Sequence, residues 1–210
     1  MLTRERQRLP ATQLSLRDRF AKRTFDICIA ALGLAFTGWL ILLAAALARL
    51  DTGLVGFFTQ ERVGRDGKLF RIIKIRTMKN LVGIDTSVTT LSDERITRFG
   101  HFLRRTKIDE LPQLYNVLIG NMSFVGPRPD VPGFADCLVG DDRVILTVRP
   151  GITGPATLEF RDEESLLNEC SDPESYNCDV LFPKKVRINR DYVENYRFLN
   201  DLKYIYRTLT

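Results

Sequence analysis

Residues 27–48 read ICIAALGLAFTGWLILLAAALA, with no charged side chain between Asp26 and Arg49. Coiled as an α-helix, this block reaches roughly 33 Å, about the hydrocarbon thickness of a bilayer. It is longer than the apolar core of a secretory signal, and a polar segment precedes it, so it reads as an anchor and not a cleaved leader. Arg17, Arg19, Lys22 and Arg23 stand before it, and Arg49, Arg62, Arg65 and Lys68 follow. Cations favour the cytoplasmic side of a membrane. A helix that enters and leaves through one leaflet satisfies both flanks, whereas a spanning helix satisfies one. Length and charge alone leave both topologies open. Gly33 and the Thr37-Gly38-Trp39 stretch supply the weak point at which a re-entrant helix would bend.

Outside that block the chain looks like an ordinary globular protein. It has 210 residues, of which 44% are hydrophobic and 27% charged, with a formal net charge of +5. Those values fit one domain plus an anchor and exclude a disordered tail or a multi-span transporter. His101 is the single histidine, and Cys28, Cys137, Cys170 and Cys178 show no CxxC spacing. A multi-histidine zinc site is therefore excluded, and a Ser-His-Asp triad or Cys-His pair would depend on one ring. A disulfide scaffold is excluded by size and cysteine content. The positive charge suits a nucleic acid, an anionic membrane or a phosphorylated substrate equally.

Three segments follow: a basic N-terminal piece (1–21), a membrane helix (22–50) and a catalytic-sized domain (51–210). Residues 54–58 and 69–75 read as strands around the polar turn Arg65-Asp66-Gly67. Ser92 before Asp93 and Glu94 predicts a helix start, with Ile96, Phe99 and Leu103 on one face. A second helix opens near Asp109, carries Leu111, Leu114, Tyr115 and Leu118 at helical spacing, and stops at Gly120. Residues 190–209 are amphipathic and rich in tyrosine, which suits a membrane interface or a helix packed on its own core. The fold class is α+β, mostly helical.

Chemistry concentrates at Asp109-Glu110-Leu111-Pro112. Proline is tolerated only in the first turn of a helix, so Pro112 fixes the start just before it. Asp109 and Glu110 then sit at the positive end of the helix dipole, where acids serve as caps and where phosphate also binds. Arg128 lies between Pro127 and Pro129, which pre-order its backbone and lower the entropy lost when a guanidinium grips an anion. The loop Arg149-Pro150-Gly151-Ile152-Thr153-Gly154 is a second rigid cationic element, and Lys74 and Arg76 end the strand-like segment. Rigid cations and a carboxylate pair beside an anchor fit phosphoryl transfer to something lipid-borne.

Five ordered blocks then carry a resemblance. They are Gln60-Glu61-Arg62-Val63-Gly64, Lys74-Ile75-Arg76-Thr77-Met78, Lys107-Ile108-Asp109-Glu110-Leu111-Pro112-Gln113-Leu114, Met122-Ser123-Phe124-Val125-Gly126-Pro127-Arg128-Pro129 and the Arg149–Gly154 loop, with Lys22-Arg23 and Phe25-Asp26 ahead of the apolar block. In these the chain resembles the bacterial sugar transferases, monotopic phosphoglycosyl transferases that start glycan assembly on a polyprenyl phosphate. The resemblance implies a re-entrant, helix-break-helix anchor and interfacial amphipathic helices. It also implies a domain on the cytoplasmic face of the bacterial inner membrane. It implies transfer of a phosphosugar from a UDP-sugar to undecaprenyl phosphate with release of UMP, as in exopolysaccharide, capsule, O-antigen or glycoprotein glycan assembly. By the same resemblance Asp109 is the nucleophile and binds Mg²⁺, and Glu110 deprotonates or positions the incoming lipid phosphate. Lys74, Arg128 and Arg161 are the residues that bind substrate. The partners implied are the UDP-sugar, the polyprenyl phosphate and the bilayer, with no nucleic acid, and a homodimer through exposed apolar surface. Where the family commonly has Ser-Pro at the bend, this chain has Thr37-Gly38-Trp39. The competing reading is a membrane-anchored module that binds anionic lipid or nucleic acid.

Overall fold

In the computed structural model, residues 14–80 and 93–210 are described. Helix α1 runs over Leu16–Thr52. Ser15 caps its start, its hydroxyl oxygen accepting from the Asp18 N–H, and Gly53 closes it in the left-handed region at φ 72°. The helix is about 55 Å long and helical throughout. The expected break at Thr37-Gly38-Trp39 is therefore absent. No proline removes an N–H from the ladder there, and the Thr37 hydroxyl donates to the Gly33 carbonyl at 2.7 Å within the helix. The first thirteen residues of the basic segment lie outside the described residues, and the helix begins before the predicted boundary at residue 22.

Two stripes run the length of α1. Lys22, Asp26, Ala30, Ile41, Ala44, Ala45 and Ala48 are buried, while Leu32, Phe36, Trp39, Leu43, Leu47 and Leu50 are exposed. Steps of three and four keep each stripe on its own face. Only 17% of the most apolar window is buried, which separates α1 from the core helix of a soluble domain. Two glycines mark where α1 and the domain approach most closely. A Cβ on Gly33 would meet a Leu114 methyl at 3.0 Å, and one on Gly56 would stand 1.9 Å from the Ala45 carbonyl oxygen.

The domain packs along that stripe. Strands β1 (Phe57–Val63) and β2 (Leu69–Ile75) form an antiparallel hairpin in register Phe57↔Ile75 to Val63↔Leu69. The predicted first strand starts three residues late, because residues 53–56 are the turn out of α1. Helix α2 (Arg98–Arg105) starts after Thr97, whose hydroxyl oxygen accepts from the Gly100 N–H at 2.8 Å. Ser92 lies outside the described residues, and Asp93 pairs with Arg95 in a turn instead of opening a helix. A 3₁₀ turn (Ile108–Glu110) leads to α3 (Gln113–Ile119), closed by Gly120 at φ 91° as the sequence predicts. Short parallel strands β3 (Ser123–Val125) and β4 (Gly151–Thr153) follow. Helices α4 (Pro155–Glu159), α5 (Glu163–Asn168), α6 (Pro173–Tyr176), α7 (Phe182–Glu194) and α8 (Phe198–Leu209) complete the chain.

The tyrosine-rich tail thus splits into two helices. Tyr192 and Tyr196 turn inward to donate to the Asp201 carboxylate at 2.8 and 3.1 Å, while Tyr206 stays exposed. Three apolar clusters hold the parts together. One joins Val125, Val144 and Ile145 to Val186 and Val193; the second joins Ala30 of α1 to Ile72, Val117 and Met122; the third joins Ala44 and Ala48 to Ile75 and Leu103. Helix α1 is built into the domain around Ala30 and again around Ala44 and Ala48.

Candidate active site

Helix α3 is fixed from three sides, and that fixes the acidic turn in front of it. The Asn116 side chain donates to the Arg71 carbonyl at 2.8 Å and accepts from the Ile73 N–H at 3.1 Å, lashing α3 to β2. Arg23 of α1 forks onto the Val117 and Leu118 carbonyls at 2.7 and 2.8 Å, and Arg149 donates to the Gly120 carbonyl at 2.8 Å. Cations at a helix C-terminus satisfy its orphan carbonyls and its dipole. Helix α1 therefore grips one end of the helix that follows the Asp109-Glu110 turn.

The Arg128 loop is clamped as firmly. Gly126 donates to the Thr153 carbonyl at 2.9 Å and Gly151 to the Pro127 carbonyl at 2.8 Å. A Cβ on Gly126 would stand 2.5 Å from the Arg149 carbonyl oxygen, so only glycine allows the two loops this close.

These elements converge on one carboxylate. Lys74 Nζ, from β2, donates to Glu110 Oε1 at 2.9 Å, and Arg128 Nη2 donates to the same oxygen at 2.7 Å. Burial alone would push the Glu110 carboxyl up, but the Arg128 and Lys74 charges outweigh it and hold it well below the usual carboxylate range. The Arg128 side chain remains 46% exposed, so one face of the pair opens to solvent.

Asp109 differs. It is 7% exposed, and its Oδ1 is buried without a hydrogen-bond partner. Burial holds its carboxyl above the ordinary value, Lys74 pulls it down, and the Glu110 charge pushes it up again. The backbone around it is busy: the Glu110 and Leu111 N–H groups donate to the Lys107 and Ile108 carbonyls at 3.2 Å each. Those two donors are closed within the turn, so the acids do not rest on a free helix mouth as the sequence predicts.

Lys74, Asp109, Glu110 and Arg128 are thus brought together. Arg161 is not: it is exposed and donates to the Arg207 carbonyl of α8 at 2.6 Å. Two neighbours of Arg128 escaped the sequence reading. Burial pulls the Arg62 guanidinium down to about 10 and pushes the Asp130 carboxyl up to about 6. Arg62 donates to the Pro129 carbonyl at 3.1 Å, and the Val63 N–H to the Asp130 carbonyl at 2.9 Å. The only available signal was position, since Arg62 lies in a motif and Asp130 directly follows Pro129. Among the described residues, no group of three or more His, Cys, Asp or Glu side chains forms a metal-binding set.

Comparison with known proteins places this arrangement. The family model described as bacterial sugar transferase matches residues 17–210. A UDP-glucose:undecaprenyl-phosphate glucose-1-phosphate transferase of Caulobacter vibrioides is 35% identical, over 96% of this chain and 71% of its own length. An enzyme of that same name from Escherichia coli is 34% identical over 94% of this chain, and a UDP-galactose-lipid carrier transferase of Erwinia amylovora is 32% identical over 91%. This chain spans only 41% and 40% of the length of those two relatives. The match extends from the first turn of α1 to the last residue, and the chain belongs to the bacterial sugar transferase family.

Proposed function

We propose that this protein transfers a phosphosugar from a UDP-sugar to a polyprenyl phosphate, releasing UMP, through a covalent intermediate on Asp109. The relatives named for that reaction support the substrate classes. The observation that carries the reading is the buried, unpartnered Asp109 oxygen beside Glu110, Lys74 and Arg128. Asp109 attacks the sugar-bearing phosphorus, and the bond to the bridging oxygen breaks with UMP as leaving group. A lipid phosphate oxygen then attacks the same phosphorus and frees the Asp109 carboxylate. One small site handles two bulky substrates in turn.

Charge decides the rest. A carboxylate nearing a diphosphate meets about 4 kcal/mol of repulsion per charge pair at 4 Å in an effective dielectric near 20, roughly a thousandfold in rate. Lys74 and Arg128 offset it. A carboxylate held as low as Glu110 is a weak base near neutral pH, so its part is to position those two cations. Magnesium fits the donor set as an ion held by one carboxylate and the substrate's own phosphates. Asp109 Oδ1 is the protein atom that would hold it, and it would supply further neutralisation of the diphosphate.

The same reading places α1 in one leaflet of the bacterial cytoplasmic membrane, with the domain on the cytoplasmic side where nucleotide sugars are found. Support comes from packing along the whole helix. A spanning α1 would drag the domain cores at Ala30 and Ala48 through the bilayer. Lying flat, it buries its outer stripe of Leu32, Phe36, Trp39, Leu43 and Leu47 among the acyl chains. The test is UMP release from a panel of UDP-sugars with Mg²⁺ and detergent-solubilised polyprenyl phosphate. Release that depends on Asp109 supports the reading, and none from any donor overturns it.

A further inference from the structure

Lys107 holds a backbone conformation that its residue type disfavours, and it does so next to the reacting carboxylate. Its φ and ψ are 57° and 16°, the left-handed region. Among the described residues the only other non-glycine with positive φ is Asp66, in the β1–β2 turn. The Lys107 N–H donates to the Arg104 carbonyl at 3.1 Å, and its own carbonyl accepts from the Glu110 N–H at 3.2 Å. The residue thus converts the end of α2 into the turn that presents Asp109. Glycine makes that turn without the steric cost of a Cβ. A lysine in such a place points to use of its side chain.

The neighbouring cations are committed. Lys74 and Arg128 bond Glu110, and Arg104 pairs with Glu164 of α5. Lys107 is exposed and forms no ion pair among the described residues. Its charge nevertheless acts on Asp109, two residues away. Position selects which anion it meets. The next residue, Ile108, packs on the cluster in which Ala44 and Ala48, from the C-terminal half of α1, meet Ile75 and Leu103. Phe102, on the last turn of α2, is 54% exposed. The turn that carries Lys107 and Asp109 therefore rests against α1 through Ile108.

We propose that Lys107 binds the phosphate of the lipid-borne acceptor as it approaches Asp109 from the membrane. This rests on the transferase reading above. The shared chemistry is a phosphate, and the donor's diphosphate is the competing source, so the test has two arms on the full chain. In the first, UDP-sugar alone gives the burst of UMP and the apparent donor affinity. In the second, polyprenyl phosphate is titrated at saturating donor. For Lys107→Gly the acceptor KM rises about tenfold, the loss of one charged hydrogen bond, while apparent donor affinity stays within twofold. Lys107→Arg keeps the charge and holds acceptor KM within about threefold of the native value. An unchanged acceptor KM in Lys107→Gly, or a loss confined to the donor arm, overturns the assignment. So does failure of Lys107→Arg to keep acceptor affinity. A native protein with no burst from any donor overturns the transferase reading itself, and the assignment falls with it.

Discussion

Asp26 and Asp109 are both buried aspartates, each with one carboxylate oxygen that finds no partner. Their other atoms separate them. Asp26 Oδ1 accepts from the Ser123 hydroxyl and the Phe124 N–H, both at 3.1 Å, and so bolts α1 to β3. Nearby, Lys22 pairs with Asp201, which also receives Tyr192 and Tyr196. That cluster is closed on itself. Around Asp109 the cations instead bond the adjacent Glu110, which leaves Asp109 inside a positive field with a free oxygen. Burial and charge are common to both regions. What distinguishes a candidate site is a buried group whose neighbours are held for something else.

The largest expected difference comes from cutting each aspartate. Asp109→Asn lowers UMP release by at least about a thousandfold, and its melting temperature equals or exceeds the native one because no hydrogen bond is lost. Asp26→Ala does the reverse. It strands a buried hydroxyl and a buried N–H and costs about 2–5 kcal/mol of stability. Urea unfolding together with single-turnover UMP release separates the two outcomes. Equal loss of folding in both variants would erase the distinction.

Next in size is Asp201→Asn, which leaves the buried Lys22 ammonium without its counter-charge. The expected loss is about 3 kcal/mol in chemical denaturation, with the burst rate per folded molecule intact. A smaller effect concerns pH and activity. Asp109 attacks as the carboxylate, and burial raises its pKa, so the acid limb of kcat/KM sits above the ordinary aspartate value near 3.9. A limb at or below that value contradicts the burial argument.

The smallest effect is at Asp130, whose carboxyl burial pushes up to about 6. The folded state then holds this proton more tightly than the unfolded chain, where the value is near 3.9. Its contribution to stability therefore falls as pH rises from about 3.9 to about 6 and stays low above that. Asp130→Asn accordingly raises the melting temperature at pH 7.5 by a few degrees and leaves it nearly unchanged at pH 3.5. A gain of equal size at both values contradicts the sign.

Local chemistry made several elements legible. The β2 run 69–75 and the Gly120 stop of α3 depend on apolar, β-branched residues after a polar turn and on a left-handed cap, which act over a few residues. The long apolar helix was legible from its lack of charge, but its shape was not. Without a proline the helical ladder closes through Thr37-Gly38-Trp39, and only packing reveals that one face belongs to the domain. Asp93 misled because its carboxylate had a closer partner in Arg95 than any helix N–H. Lys74, Glu110 and Arg128 lie far apart in the chain, and no spacing rule states that they share one oxygen. The rigid cations and the carboxylate pair point to one shared site, whereas Arg161, implied only by the resemblance, turns to α8. Lys107 lies within a motif, and no local residue pattern marks its left-handed backbone.

The covalent step on Asp109 is most directly tested by intact-protein and peptide mass spectrometry after incubating the purified chain with UDP-sugar and Mg²⁺ and no lipid acceptor. A phosphosugar adduct mapped to Asp109, formed in step with UMP and discharged on adding polyprenyl phosphate, is the predicted result. UMP released and lipid product formed with Asp109 unmodified throughout would contradict it.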